Sequence, residues 1–595
     1  MGDEAQEHAR LKETVLQHLT LPKGLVDGER GLYVRGCEGA SFPLHLREGE
    51  TADFRTHFNL IPIRKLRELA GIDSIDLVLD FEGDIAVEAC FLGEAERTES
   101  LRIQSGVPSR IDIPEGSLLG ISATAGKNGA TLAGGRFTVH PEKTKYVKLA
   151  LVVTTFRHER ITEAKAAAIS DFLSGCPETD GHLSVIIVDN GRTLSPDDVP
   201  GCILIPNENL GGSGGFARGM VEAMGDGDVT HIALNDDDAV LDPEVLFRTV
   251  SWFSIIPPDS GVCIGGAMLN LDRPTVVHEA GATYHQWYFL WNNHEVDVSG
   301  IDGNLELDRS KKADYSGWWY FALPRELVEE NGYPLPLFFK DDDVEYGVRL
   351  GADVEIIPGI SVWHPSYLSK YSDVNAYYYV RNMLVLGCTT GDMTGNDLER
   401  IFDKPLVEAA GYRYLSADLM LRGIEDFLKG PDAVFSMMGE GMIQSEDPVF
   451  EDGPSVEARL RPRKSVRTRG RGFRILTLNG LLLPSAGDVE TDFIETRTEF
   501  FYRAGKAAYV KNGRGCLCER SLRRTLSIVW RTLRLRSKAR KAFPRLKEEY
   551  ADSLEKYSSR EFWKSFWKER ADVLLRRLRV FGRLPNRPEF DTYKN

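Results

Sequence analysis

From about residue 148 the chain alternates between two kinds of hydrophobic pattern. Residues 147–156 (VKLALVVTTF), 182–190 (HLSVIIVDN), 202–207 (CILIPN) and 231–238 (HIALNDDD) are short, nearly unbroken apolar runs. Between them, 161–175 (ITEAKAAAISDFLSG) and 216–224 (FARGMVEAM) read as helices. The runs predict strands buried on both faces, and their alternation with helices predicts an α/β fold with a mostly parallel, covered sheet. Ligands bind beyond the carboxyl ends of such strands, and Asp189 and Asp236–Asp238 stand at two of those ends.

The pattern differs on either side. Residues 31–145 carry short β-prone runs (GLYVRG, SIDLVLDF, IAVEACFLG, SRIDIP, LLGISATA, GRFTVH) set apart by Gly, Pro and Asp. Period-two alternation with closely spaced turn signals predicts a β-sandwich of jelly-roll type. Residues 1–30 read as a helical or loose leader. After about 395 the chain becomes helical, with an amphipathic segment at 415–430 and helical spacing from Leu522 to Phe581. The expected domains are therefore 1–30, 31–145, 146–395 and 396–595.

Composition narrows the class. At 595 residues the chain exceeds one core, and 42% hydrophobic with 27% charged residues is ordinary for a globular protein. Eight cysteines, mostly scattered singly through apolar stretches, favour reduced thiols and a cytoplasmic setting. The first fifteen residues lack a basic segment followed by an apolar core, so no signal peptide is expected. No apolar run of about 18 residues occurs, so no spanning helix is expected. The net charge of −16 hides an asymmetry: from Phe501 onward there are 26 Lys/Arg against 10 Asp/Glu. A basic end on an acidic chain points to an anionic partner, and Phe562, Trp563, Phe566 and Trp567 among Lys and Arg suit a membrane surface. A helical hairpin packed on the rest of the protein accounts for the same residues equally well.

The chemistry concentrates in a few places. Three carboxylates closing an apolar strand, Asp236, Asp237 and Asp238, repel one another unless a cation neutralises them. Oxygen ligands in an Asp-x-Asp arrangement suit Mg2+ or Mn2+ shared with phosphate oxygens. Asp189, at the end of another strand, could accept hydrogen bonds from a uracil or ribose. Asn209-Leu-Gly211-Gly212-Ser-Gly214-Gly215-Phe-Ala-Arg218 is a glycine-rich stretch whose amides could approach a diphosphate or sugar, and it is neither a P-loop nor a dinucleotide fingerprint. A second acid cluster, Asp341-Asp342-Asp343-Val-Glu345, follows about a hundred residues later. One cluster could hold a metal while the other takes a proton from an attacking hydroxyl. His364 ends a short apolar strand as a further candidate ligand, and the adjacent Trp318 and Trp319 offer faces on which sugars stack. His278-Glu279 lacks the second His of a zinc-protease motif, since position 282 is Ala.

Taken in order, VVTTF, VDNG, NLGGSGGFAR, NDDD, GWWY, KDDDVEYG and WHP resemble the inverting, GT-A-fold glycosyltransferases of family 2 that include the mycobacterial galactan polymerases. The resemblance extends to the amino-terminal β-module through His57-Phe-Asn-Leu-Ile-Pro62 and fades after about residue 400. It implies a UDP-galactofuranose donor, a polyprenyl-diphosphate-linked glycan acceptor, Mn2+ or Mg2+ on Asp236, Asp238 and His364, and Asp343 as catalytic base with Asp342 beside it. It also implies donor contacts from Asp189, Asp237 and the glycine stretch, and Trp318 and Trp319 lining the acceptor site. Peripheral attachment to the inner face of the cell membrane is expected, with a homo-oligomer as a further candidate assembly and no nucleic-acid partner. Two departures stand out: Asp341 replaces an aromatic residue, and His158 stands where an Arg is expected. Competing readings are a transferase using another donor, such as a rhamnosyl or glucosyl nucleotide, and a non-catalytic carbohydrate-binding scaffold.

Overall fold

A computed structural model describes residues 13–94, 96–285, 288–365, 373–438, 451–464, 467–492, 497–511, 513–568 and 570. These form two compact units. The first comprises residues up to Asn209, Ala223–Leu327 and Gly347 to Pro365; the second comprises Leu210–Glu222, Val328–Tyr346 and the chain from Asp373 onward.

The first unit holds two sheets. One is a seven-stranded antiparallel sheet built on two very long strands, Ser74–Leu92 and Leu118–Val139. Sequence reading divides each of these at its polar or glycine-rich centre. Both run through, because the break residues form bulges where the partner is also irregular: register shifts fall at Asp80/Phe81 and Gly83/Ile85. Gly83 has φ +94°, and a Cβ there would stand 2.7 Å from the Gly129 carbonyl oxygen. The expected leader contributes a strand, Thr14–His18, paired with Arg136–Val139, while GLYVRG begins in the 3-10 turn Glu29–Leu32 and makes only an isolated bridge, Arg35 to Asp53, in place of a strand. Residues 1–12 lie outside the described residues.

The second sheet has nine strands. Its order is Ile203–Pro206, Leu183–Asp189, Leu149–Thr155, His231–Asp236, Phe321–Pro324, Cys263–Asn270, Val354–His364 and Val240–Leu241, with Val277–Glu279 paired off Cys263–Asn270. The first four strands are parallel, as their unbroken apolar patterns predict; Phe321–Pro324 is antiparallel to both neighbours, so the sheet is mixed. The helix Glu159–Gly175 connects the first two strands in sequence, burying Thr162, Ala166 and Ile169. A pair buried in the same unit, Lys65 Nζ to Glu355 Oε2 at 2.6 Å, links the helix Ile63–Ala70 to the strand Val354–His364.

The second unit is mainly helical, with Asp373–Thr389, Tyr414–Phe427 and the 31-residue Leu522–Asp552 as its longest helices. It also contains a four-stranded sheet, Glu451–Asp452, Arg514–Glu519, Lys506–Lys511 and Val489–Thr491, in a region expected to be wholly helical. Trp563 and Trp567 are buried here: the Trp563 indole donates to the Pro334 carbonyl at 3.1 Å, and the Arg218 guanidinium lies 4.9 Å from the Trp567 ring. The expectation that these two rings sit at a membrane surface is thereby corrected; the packing alternative holds for them. The end of the predicted helical region, 571–581, lies outside the described residues.

Candidate active site

In the first unit, three parallel strands end level, with Thr155 paired to Asp189 and Thr154 to Asp236. Past Asp236 the chain turns within a few residues, the Ala239 N–H donating to the Asp236 carbonyl at 3.2 Å. It then enters the edge strand Val240–Leu241, which pairs with Trp363 and Val362. That crossing delivers Asp238 to His364. His364 Nε2 lies 3.1 Å from Asp238 Oδ1 and 4.0 Å from Asp236 Oδ2, and the imidazole is buried.

The tautomer follows from the other ring nitrogen. His364 Nδ1 is 2.8 Å from the Pro365 carbonyl oxygen, which can only accept, so Nδ1 carries the proton. In the neutral ring Nε2 then presents a lone pair to a carboxylate. A shared cation accounts for the approach: a proton on Nε2 satisfies Asp238 alone, whereas a metal ion engages Asp236 as well. One nitrogen and two oxygen donors within 4.8 Å of one another fit a divalent ion that accepts oxygen and imidazole ligands, such as Mn2+ or Mg2+.

Other residues frame this cluster. His158 Nδ1 donates to Asp237 Oδ2 at 3.0 Å, so a histidine occupies the place of the expected arginine and ties down the middle acid. Lys165, which sequence reading missed, donates from Nζ to the Asn235 side-chain oxygen and, at 2.5 Å, to the Asp236 carbonyl. Burial pushes its amine down to about 8, opposed by Asp237, Asp236 and Asp238. A signal was present: Lys165 sits in phase with Thr162 and Ile169 on the buried side of its helix.

Asp189 and the two tryptophans lie inside the fold. Asp189 is buried, and its carboxylate accepts the backbone N–H groups of Gly191 (2.8 Å), Thr193 (2.6 Å) and Leu194 (2.8 Å). Those amides close its own turn, which gives the side chain a local structural role. Trp318 and Trp319 are 4% and 2% exposed, so neither offers a free face. Glycines make the double burial feasible: a Cβ at Gly317 would lie 2.1 Å from the Trp319 ring, and the Trp319 indole donates to the Gly266 carbonyl at 2.8 Å. The Trp318 carbonyl in turn accepts the Asp236 N–H at 2.9 Å, so the pair supports the acid loop from within.

The glycine-rich stretch and the second acid cluster belong together in the second unit. Gly211 opens the helix Gly211–Ala223 with φ +69°, and a Cβ there would fall 2.0 Å from the Phe338 carbonyl oxygen. A Cβ at Gly212 would lie 3.2 Å from Asp342 Oδ2, and one at Gly214 would strike Leu210. Ser213 and Phe338 exchange hydrogen bonds, Phe338 N–H to Ser213 Oγ at 2.8 Å and Ser213 N–H to the Phe338 carbonyl at 3.2 Å. At Gly211 and Gly214, therefore, close packing explains the glycine, while Gly212 borders only the end of the Asp342 side chain and Gly215 is buried in the same helix.

The acid loop itself is strained. Phe338, Lys340 and Asp341 have positive φ, +75°, +71° and +58°, a cost of about 1 kcal/mol or more each that the surroundings must hold in place. Asn382 does so, donating to the carbonyls of Phe339 at 3.0 Å and Lys340 at 2.7 Å, while Arg381 donates to that of Leu337 at 2.6 Å. Neither residue was singled out from sequence. Asp342 and Asp343 begin the helix Asp342–Leu350. Asp341 and Asp342 are buried, and Asp343 is half-buried. Burial, reinforced by the Asp343 charge, pushes the Asp341 carboxyl up to about 7; burial raises Asp343 as well, against the pull of the Val344 N–H.

Residues 196–372 match the family model described as glycosyltransferase-like family 2. A galactofuranosyltransferase, GlfT2, of Mycolicibacterium smegmatis is 26% identical over 86% of this chain and 88% of its own. The GlfT2 of Mycobacterium tuberculosis is 28% identical over 63% of this chain and 64% of its own. Among solved structures, a mannosyltransferase of Pyrobaculum calidifontis in complex with GDP-Man and Mn2+ overlaps with 42% of this chain and 65% of its own, at 15% identity and a TM-score of 0.28, too little to assign a fold. The chain is a glycosyltransferase with a family-2-like domain, and it resembles the mycobacterial galactofuranosyltransferases along most of its length.

Proposed function

We propose that this glycosyltransferase is cation-dependent and inverting, and that it moves galactofuranose from UDP-galactofuranose to a hydroxyl of a polyprenyl-diphosphate-linked glycan. The observation that carries the metal dependence is His364 Nε2 held against Asp238 and Asp236 by a Nδ1–H committed to Pro365. The donor is supported by the likeness to GlfT2 over 86% of the chain. Asp236, Asp238 and His364 would hold Mn2+ or Mg2+. A bound cation of this kind neutralises charge on a departing diphosphate. Lys165 and the His158–Asp237 pair hold the acid loop in shape. Asp343 accepts the proton of the acceptor hydroxyl as its oxygen attacks the anomeric carbon, UDP leaves from the opposite face, and configuration inverts. Asp342 and the strained loop orient that base.

Attachment to the inner face of a membrane belongs to the same proposal, through a different surface from the one expected. Leu522, Leu526, Trp530 and Leu533 are 42%, 48%, 61% and 59% exposed and fall on one side of the helix Leu522–Asp552. Arg523, Arg524, Arg534, Lys538 and Lys541 are exposed around and beyond them. Apolar residues with an Arg/Lys border suit shallow insertion among anionic headgroups. No helix among the described residues is long and apolar enough to cross a membrane.

The test is turnover with UDP-galactofuranose, UDP-galactopyranose and dTDP-rhamnose on short galactofuranosyl acceptors, with and without chelator, alongside calorimetry of UDP plus Mn2+. Turnover confined to the first donor and lost with chelator is expected, and Asp238→Ala should abolish metal-dependent UDP binding. Preference for another donor would reassign the substrate. Absence of any turnover would leave a carbohydrate-binding scaffold.

A further inference from the structure

Metal-ligating side chains converge at a second place in the first unit. His18, Cys176 and Glu178 bring a ring nitrogen, a sulfur and a carboxylate oxygen within 4.8 Å of one another. They come from separate elements: His18 ends the strand Thr14–His18, Cys176 follows the helix Glu159–Gly175, and Glu178 lies in the 3-10 turn Pro177–Thr179. The group borders a cavity of about 410 Å³, to which Lys23, Phe172 and Glu244 also contribute.

The histidine is held as a ligand would be. Its Nδ1 lies 3.0 Å from Glu244 Oε2, and the Glu244 carboxylate is buried, accepting also the His18 backbone N–H at 2.8 Å and the Arg248 Nε at 3.4 Å. A carboxylate that takes the Nδ1 proton turns the Nε2 lone pair outward, the arrangement that commonly backs a metal-bound imidazole. Nε2 faces Glu178 Oε1 at 4.0 Å, and Cys176 Sγ lies 3.6 Å from Glu178 Oε2. Around tetrahedral zinc, with bonds of about 2.0–2.3 Å, neighbouring donor atoms stand roughly 3.3–3.6 Å apart. The three donors, within 4.8 Å of one another, must draw together to reach that spacing, and Glu178, which is exposed, has room to move toward the ion.

We propose that His18, Cys176 and Glu178 form a second divalent-cation site, thiolate-containing and suited to zinc, with its fourth position open to the cavity. Sulfur and imidazole donors select a borderline-soft ion, whereas the oxygen-rich Asp236–Asp238–His364 cluster suits a harder one. Zinc displaces the thiol proton to solvent as the metal–sulfur bond forms. The bound ion clamps the first strand of the antiparallel sheet to the end of a helix of the mixed sheet. The competing assignment is a charged histidine between Glu178 and Glu244, with Cys176 a buried thiol.

Full-length protein stripped with chelator is titrated with Co2+ and then Zn2+. One equivalent of cobalt should produce the near-ultraviolet thiolate-to-metal charge-transfer band, and zinc should displace it. Cys176→Ser should lose the band, and Asp238→Asn should keep it. Glu178→Gln, a change on an exposed side chain that leaves folding intact, should retain the band with affinity for zinc weakened by at least about 10-fold, since losing a direct ligand costs no less than losing an outer-shell partner. Zinc should raise the melting temperature of the wild-type and Asp238→Asn proteins but not of Cys176→Ser. No band in the wild-type protein, a band surviving in Cys176→Ser, or zinc affinity unchanged in Glu178→Gln would each overturn the site.

Discussion

At the scale of single residues, the acid loop separates two roles that its sequence runs together. Asp343 is the half-buried member of the cluster, and Asp341 is the buried one whose carboxyl is pushed up to about 7. Asp343→Asn should leave donor and metal binding nearly intact while lowering turnover by about 10²–10⁴-fold, measured as kcat beside calorimetric UDP affinity. Wild-type turnover in that variant would remove Asp343 from the mechanism. Asp341 makes a prediction about stability. Below the ordinary carboxylate value of 3.8 the group is protonated whether the chain is folded or not, and its contribution is complete. Between there and about 7 only the unfolded chain gives up the proton, so stability falls as pH rises, and the fall stops once the folded protein ionises too. Denaturant titrations from pH 4 to 8 should show that decline in the wild-type protein and a flatter profile in Asp341→Asn.

At the scale of elements, the sequence was legible where pattern and environment agree. The strands Leu149–Thr155, Leu183–Asp189 and His231–Asp236 and the helix Glu159–Gly175 follow from unbroken or helically spaced apolar residues, because each is covered as its pattern requires. The acid cluster closing His231–Asp236 was legible too, since carboxylates at a strand end have no packing explanation, and its meeting with His364 is what the structure adds. What sequence could not show is which glycines serve a ligand and which serve packing: Gly211 reads as a cradle, but the Phe338 carbonyl occupies the space its side chain would need. The long strands Ser74–Leu92 and Leu118–Val139 were divided because a bulge and a turn use the same residues, and only the partner strand decides between them. The burial of Asp189 and of the Trp318–Trp319 pair is not legible in the sequence, because burial depends on long-range packing. Gly211→Ala meets both a positive φ and a carbonyl oxygen, so it should destabilise the second unit by at least about 2 kcal/mol in denaturant titrations. A loss under 0.5 kcal/mol, about the size of an ordinary surface change, would show that the acid loop gives way freely.

For the whole molecule, the charge asymmetry and the exposed face of Leu522–Asp552 make a joint prediction. Leu526→Glu with Trp530→Glu should weaken flotation with anionic liposomes, especially at low salt, without lowering the melting temperature, because both side chains are about half exposed or more. Truncation near residue 515 should do something different. It removes Trp563 and Trp567, which are buried within the second unit, so loss of folding is the expected outcome there. Flotation indifferent to the double substitution and to lipid charge would remove the membrane surface from this helix.

The crossing from Asp236 to the edge strand has a further consequence. Asp236 and Asp238 stand on the short link between a central strand and Val240–Leu241, and His364 follows the residues against which that edge strand is zipped. An ion held by these three side chains would act as a rivet at the margin of the sheet, where two-residue strands fray most readily. Amide hydrogens of Val240, Leu241, Val362 and Trp363 should then exchange more slowly in deuterated buffer containing Mn2+ and UDP than in chelator, while those of Leu149–Thr155, already interior to the sheet, should hardly change. The donor's arrival would be recorded as stiffness at the sheet's edge.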